Sequence, residues 1–121
     1  MTPDQKLATR FEELIGYIGE NNQHLIIEFL TGDFQLTLPN GAVKTAQEWI
    51  DDLDEDLFDL DEAIIEDIAT TAGEETGLAT AQVQLVGTAY EQDATGPHRF
   101  EATFIWTFSD WFIKSLKITR V

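Results

Sequence analysis

The sequence has no cysteine, few basic residues and no apolar run approaching the length of a membrane span. Without cysteine, disulfides, thiolate metal sites and cysteine nucleophiles are excluded, and nothing indicates an oxidising compartment. Residues 1–5 also lack the basic region and apolar run of a secretion signal. We therefore expect a cytoplasmic protein that does not enter a membrane.

The shortage of basic residues leaves a strongly acidic chain. Only 7 lysines and arginines stand against 23 acidic residues, for a formal net charge of −16. A field of this sign repels phosphate backbones and anionic lipid surfaces, so we expect neither nucleic acid nor membrane as a partner. Solubility or a salt-rich habitat is the favoured explanation of this charge, and cation binding or a basic protein partner is the alternative.

The acidic residues are most concentrated between positions 51 and 62. An EF-hand loop needs oxygen ligands at alternate positions around a central glycine, and this run contains no glycine. We predict a solvated acidic face rather than a metal site, with weak cation binding as the alternative, and we predict no cofactor. Its members are Asp51, Asp52, Asp54, Glu55, Asp56, Asp59, Asp61 and Glu62.

The first half of the chain predicts three helices and two strands within a single domain, residues 1–121. Capping boxes open helices at Thr2 and at Thr45, and apolar spacing continues the first helix to about residue 20. A second helix is expected over 22–30, followed by a strand over 34–38 and a turn over 39–41. Aspartates disfavour one long helix beyond Leu57, so we expect a break there and a strand over 62–71.

The second half predicts long strands. Residues 78–90 alternate between apolar and polar side chains, and a turn over 92–97 leads to a hairpin over 98–121 that reverses at Ser109–Asp110. In the last strand the apolar phase changes between Ile113 and Leu116, which predicts a bulge near Lys114–Ser115. Strands of this length favour a strongly bent or twisted sheet.

This order of elements resembles the nuclear transport factor 2-like superfamily, particularly its SnoaL-like and ketosteroid-isomerase-like members. The likeness covers nearly the whole chain and is a pattern rather than a fixed motif. It implies an α+β, cone-shaped, cystatin-like fold in which a curved antiparallel sheet wraps around N-terminal helices. It also implies a homodimer formed through the outer face of the sheet. The stretches that carry it are Phe29-Leu30 with Asp33, Leu38 to Gly41, Thr45 to Ile50, Ala79 to Thr88, and Trp111 to Val121.

In the isomerases of this superfamily, a tyrosine and two aspartates in the cone carry out proton transfer. The corresponding positions here are Phe11 or Leu14, then Leu38, then Phe104, and all are apolar. Without a positioned acid or base, abstraction of a proton beside a carbonyl has no agent. The resemblance therefore implies the fold without the isomerase chemistry.

Three functional hypotheses remain. The first is non-catalytic binding of a small apolar or aromatic ligand in the cone. The second is a lyase or isomerase that uses Tyr17 with His98 or Asp33. The third is an acidic protein-interaction module that uses the face over 51–62. Plain core packing is the competing explanation for each proposed pocket residue. These are Leu14, Tyr17, Phe29, Leu38, Trp49, Leu85, Phe104, Trp106 and Trp111.

The two histidines are too far apart in sequence to predict a metal pair. His24 falls in the first turn of the predicted second helix, where a solvated side chain is expected. His98 follows a turn, and we expect it at the surface beside a loop.

Overall fold

A computed structural model describes residues 2–121 as an α+β fold, in which one strongly curled sheet closes around the helices. The elements are α1 (Pro3–Gly19), α2 (Gln23–Ile26), a 3-10 turn (Ile27–Phe29), β1 (Leu30–Thr37), β2 (Val43–Thr45), α3 (Ala46–Asp54), β3 (Phe58–Ala72), β4 (Thr76–Ala89), β5 (Gln92–Asp93), β6 (Gly96–Thr107) and β7 (Asp110–Arg120). The strand order in the sheet is β2-β1-β7-β6-β4-β3, and β5 pairs with β4 beside this path.

The predicted capping boxes are confirmed at the N-termini of α1 and α3. Thr2 and Gln5 cap α1 reciprocally, and Thr45 and Glu48 do the same for α3. α1 ends at Gly19, where a side chain would place its Cβ 2.9 Å from Ala63 on β3. The close approach of helix and strand therefore requires a glycine at this position. The buried face of α1 comprises Leu7, Phe11, Leu14, Ile15, Ile18 and Gly19.

Tertiary pairing changed several predicted boundaries. The second helix is shorter than predicted because Leu30 pairs with Ile113 and starts β1 as the parallel neighbour of β7. The third strand begins at Phe58 rather than at residue 62, since Phe58 pairs with Ala89 despite the aspartates that follow it. The short strands β2 and β5 were not predicted. Neither is long enough to carry an alternating pattern.

The terminal hairpin has the predicted bulge, and it reverses one residue earlier than predicted, at Phe108–Ser109, because Asp110 already pairs with Thr107. Thr103 of β6 pairs with Ser115, and Phe104 pairs with Ile113, so Lys114 has no opposite residue. This extra residue keeps the apolar side chains inside on both sides of it. Those on β7 are Trp111, Ile113, Leu116 and Ile118, and all four are buried.

The interior of the curled sheet is filled by aromatic side chains. Phe11 of α1 meets Phe104 of β6 edge to face, with ring centroids 5.7 Å apart. Trp49 of α3 stacks on Phe34 at 5.7 Å and meets Phe58 edge to face at 5.8 Å. These contacts join α1 and α3 to the sheet through one continuous apolar core.

None of the helices within residues 2–121 is both long and apolar enough to cross a membrane.

Candidate functional site

The candidate site is a groove at the end of the β6–β7 hairpin, with a volume of about 620 Å³. It lies between the start of α1, the turn joining β3 to β4, and the inner side of the hairpin end. We call it the hairpin-end groove. Its lining residues are Pro3, Lys6, Ala72, Gly73, Glu74, Trp106 and Trp111.

Hydrogen bonds across the groove fix its walls to one another. The backbone N–H of Ala72 donates to Oδ1 of Asp4 at 2.8 Å, which ties the first turn of α1 to the end of β3. The backbone N–H of Trp106 donates to the carbonyl of Glu75 at 2.8 Å. The β3–β4 turn is thus attached to both other walls, so the groove is largely pre-formed.

Two tryptophans form the apolar wall. The rings of Trp106 and Trp111 meet edge to face, with centroids 5.3 Å apart. Trp111 is buried, whereas Trp106 is partly exposed. A Cβ at Gly77 would lie 2.7 Å from Leu7 and 3.2 Å from the Trp111 ring, so only glycine lets Trp111 lie this close to β4.

Arg10 fastens the start of β7 to α1. Its Nε donates to the carbonyl of Trp111 at 2.8 Å and lies 3.6 Å from a carboxylate oxygen of Asp110. Its guanidinium carbon lies 3.8 Å from the centroid of the Phe29 ring. Arg10 is therefore already occupied with contacts inside the protein. Lys6, one turn earlier, instead places Nζ 5.0 Å from the centroid of Trp106.

The structure brings only two of the nine predicted pocket residues to this groove, Trp106 and Trp111. Leu38 lines a separate cavity of about 150 Å³ that also contains Tyr90 and Arg120. Tyr17 is partly buried and packs on Phe29, with ring centroids 5.8 Å apart. The remaining predicted pocket residues lie in the closed core: Leu14, Phe29, Trp49, Leu85 and Phe104.

The positions expected to hold isomerase groups have no acid-base chemistry. The rings of Phe11 and Phe104 pack against each other and occupy the space between α1 and β6. Leu38 is also buried, with 7% of its surface exposed. Apolar side chains therefore fill the place where a substrate carbonyl would need donors.

Tyr17, His98 and Asp33 make no hydrogen bonds to one another within residues 2–121. The predicted surface position of His98 is wrong, because its side chain is only 2% exposed and points inward from β6. Its Nδ1 lies 3.0 Å from the carbonyl of Gly96, and burial lowers its pKa. Asp33 is exposed, and a hydrogen bond from the Thr31 hydroxyl lowers its pKa.

A polar cluster that the sequence patterns did not indicate joins α3, β2 and the end of β4. The Tyr90 hydroxyl donates to Oδ2 of Asp52 at 2.8 Å, and Nζ of Lys44 lies 3.3 Å from the same oxygen. Burial, followed by the hydrogen bond to Asp52, raises the pKa of Tyr90. The phenol therefore stays protonated and acts as a donor. Residues so far apart in sequence give no local signal of such a cluster.

The acidic run over 51–62 divides among three elements. It starts on α3, passes through a turn and ends on β3, and its side chains are mostly exposed. Asp52 is the exception because Lys44 and Tyr90 contact it. Across residues 2–121, no three histidine, aspartate or glutamate side chains form a group that could hold a metal ion.

Comparisons with known proteins identify the fold. No family model matches the sequence, and no curated protein matches it. A nuclear transport factor 2-like protein from Cytophaga hutchinsonii superposes with a TM-score of 0.92 at 15% identity, covering 100% of both chains. One from Rhodospirillum rubrum, described as of unknown function in nutrient uptake, gives 0.86 at 19% identity, covering 95% of this chain and 98% of the other.

A third similar structure, from Novosphingobium aromaticivorans, is a nuclear transport factor 2-like protein with a cystatin-like fold. It superposes with a TM-score of 0.76 at 11% identity, covering 97% of this chain and 80% of the other. Identities this low support the fold and not a shared activity. The chain has the fold of the nuclear transport factor 2-like superfamily.

Proposed function

We propose that this protein binds a small, flat apolar or aromatic molecule in the hairpin-end groove, without catalysing its conversion. The observation that carries the proposal is the pair of tryptophans, Trp106 and Trp111, on one wall of a groove of about 620 Å³. Grooves of this size that combine aromatic walls with a few polar groups are suited to small ligands.

The closed core favours this groove over the interior of the cone. Phe11 and Phe104 fill the space between α1 and β6, so a ligand there would have to displace packed rings. Trp106, in contrast, is partly exposed and can contact a ligand without any change in the core. Aromatic surfaces also prefer aromatic partners, which adds about 0.5–1.5 kcal/mol per ring pair beyond area burial.

A neutral aromatic probe such as 2-naphthamide tests the proposal by calorimetric titration. Trp106→Ala should weaken binding of this probe at least about fivefold, because the substitution removes the partly exposed ring on which the probe packs. Ile105→Ala is the matched control, since successive strand residues point to opposite faces. Equal affinities of the two variants, or no binding to the wild-type protein, would overturn the proposed site.

A second candidate is a homodimer through the outer face of the sheet. Ile64, Leu78 and Val86 lie on that face of β3 and β4 with exposed fractions of 47%, 58% and 38%. Ile64 and Val86 lie near one another on this face, since Ile64 pairs with Gln84, and exposed apolar neighbours of this kind support an interaction surface. Ile64→Ser should shift the sedimentation coefficient from dimer towards monomer. Ile27→Ser, at an exposed residue of the helical layer, should not.

A further inference from the structure

We infer that the preferred ligand of the hairpin-end groove is a planar aromatic carboxylate whose carboxyl group binds Lys6. This inference rests on the proposed function and adds the charge of the ligand. It follows from the ion pairs of the protein and from the position of Lys6 beside Trp106.

Among residues 2–121, Lys6 has no carboxylate partner, although the protein is rich in carboxylates. Four of the other basic side chains lie within 4.0 Å of an acid: Arg10, Lys44, Arg99 and Lys114. Within residues 2–121 Lys6 has no such neighbour, although the chain contains 23 acidic residues. Lys117 and Arg120 also have none in this part of the chain, but neither lines the groove. Lys6 is thus the basic group that a ligand in the groove can reach.

The ammonium and the aromatic surface are adjacent. Nζ of Lys6 lies over the ring of Trp106, 5.0 Å from its centroid. A planar ligand ring on Trp106 would share that face with the ammonium, which would place an attached carboxylate beside Nζ. A charge-assisted hydrogen bond formed there is stronger than one to a neutral amide.

Three negative contributions oppose an anionic ligand. Glu74 lines the groove, the Asp4 carboxylate lies at its wall where it accepts a hydrogen bond from Ala72, and the protein carries a net charge of −16. At physiological ionic strength, exposed charges more than about 8 Å away are largely screened, so the contact with Lys6 outweighs the distant acids. Glu74 remains as a local repulsion, which makes it the position where neutralisation should strengthen carboxylate binding.

The test compares 2-naphthoate with 2-naphthamide by isothermal titration calorimetry. With the wild-type protein, the carboxylate should bind about two- to fivefold more tightly than the amide, the difference expected for an ion pair with an exposed lysine. Lys6→Met should remove this preference while leaving amide binding nearly unchanged. Glu74→Gln should increase it. Lys117→Met removes the same charge outside the groove and should preserve the wild-type preference.

The results distinguish a wrong ligand class from a wrong binding site. If the amide binds and the carboxylate binds no more tightly, the ligand class is wrong and the groove remains a binding site. The same conclusion follows if Lys6→Met weakens both probes equally, or if Lys117→Met removes the preference as fully as Lys6→Met does. If neither probe binds the wild-type protein, the proposed function itself fails.

Discussion

Replacing Phe104 by alanine should destabilise the protein strongly, because this ring closes the cone. Phe104 is 1% exposed and meets Phe11 edge to face at 5.7 Å. Removing a buried phenylalanine side chain costs about 3–5 kcal/mol, which includes the lost ring pair and the cavity left behind. Domains of this kind have about 5–15 kcal/mol of total stability, so the variant should still fold.

Urea denaturation monitored by circular dichroism measures this loss. Phe108→Ala is the control, since Phe108 at the hairpin tip is fully exposed and its removal should change stability by less than about 0.5 kcal/mol. Apolar cavities of this kind bind benzene, so benzene should stabilise Phe104→Ala more than the wild-type protein, whose core has no such cavity. If Phe104→Ala lost no more stability than Phe108→Ala, or if benzene stabilised the wild-type protein equally, the cone would not be closed as described.

Two further predictions concern buried polar groups. Burial keeps the pKa of His98 in the folded protein below its usual value of about 6.5. The folded state therefore favours the neutral imidazole, and the free energy of unfolding that this contributes is present above that pH and is lost as pH falls through the folded pKa. His98→Gln should reduce the change in unfolding free energy as pH falls below about 6.5, measured by urea titrations. An unchanged slope, or the same reduction in the exposed His24→Gln, would refute this. Tyr90→Phe should lower the free energy of unfolding by about 1–2 kcal/mol, because Asp52 loses a hydrogen-bond donor. Tyr17→Phe is the control and should lower it clearly less, because the Tyr17 hydroxyl makes no hydrogen bond within residues 2–121. Equal losses in the two variants would contradict the role of the cluster.

Local sequence signals predicted most of the architecture. The capping boxes at Thr2 and Thr45 began helices where expected, and the phase change in the last strand located the bulge at Lys114. These features depend on residues within a few positions of one another. Alternation in β4 and β6 likewise determined which side chains face the core.

Features set by tertiary pairing were harder to predict. Phe58 belongs to β3 only because β4 lies beside it, and Leu30 belongs to β1 only because β7 does. His98 is buried because β6 begins already at Gly96, which puts His98 in phase with Phe100 and Phe104 on the inner face. An aromatic residue gives the same signal in a sequence whether it fills a core or lines a groove, and for this reason Trp49 and Trp106 were predicted alike.

The hairpin-end groove combines segments that are distant in sequence. Lys6 comes from α1, Glu74 from the β3–β4 turn and Trp106 from β6. Only the predicted hairpin indicated any part of it. The sequence shows Lys6 as one of 7 basic residues. That it has no acidic neighbour within residues 2–121 can be seen only in the folded structure.

The most direct test of this account is a nitrogen–proton correlation spectrum of the protein titrated with 2-naphthoate. The three tryptophan indole N–H signals report separately on the groove and the core, since Trp106 and Trp111 line the groove and Trp49 is stacked on Phe34. The account predicts that the Trp106 and Trp111 signals shift while the Trp49 signal stays in place. A shift confined to Trp49, or no shift in any of the three, would contradict it.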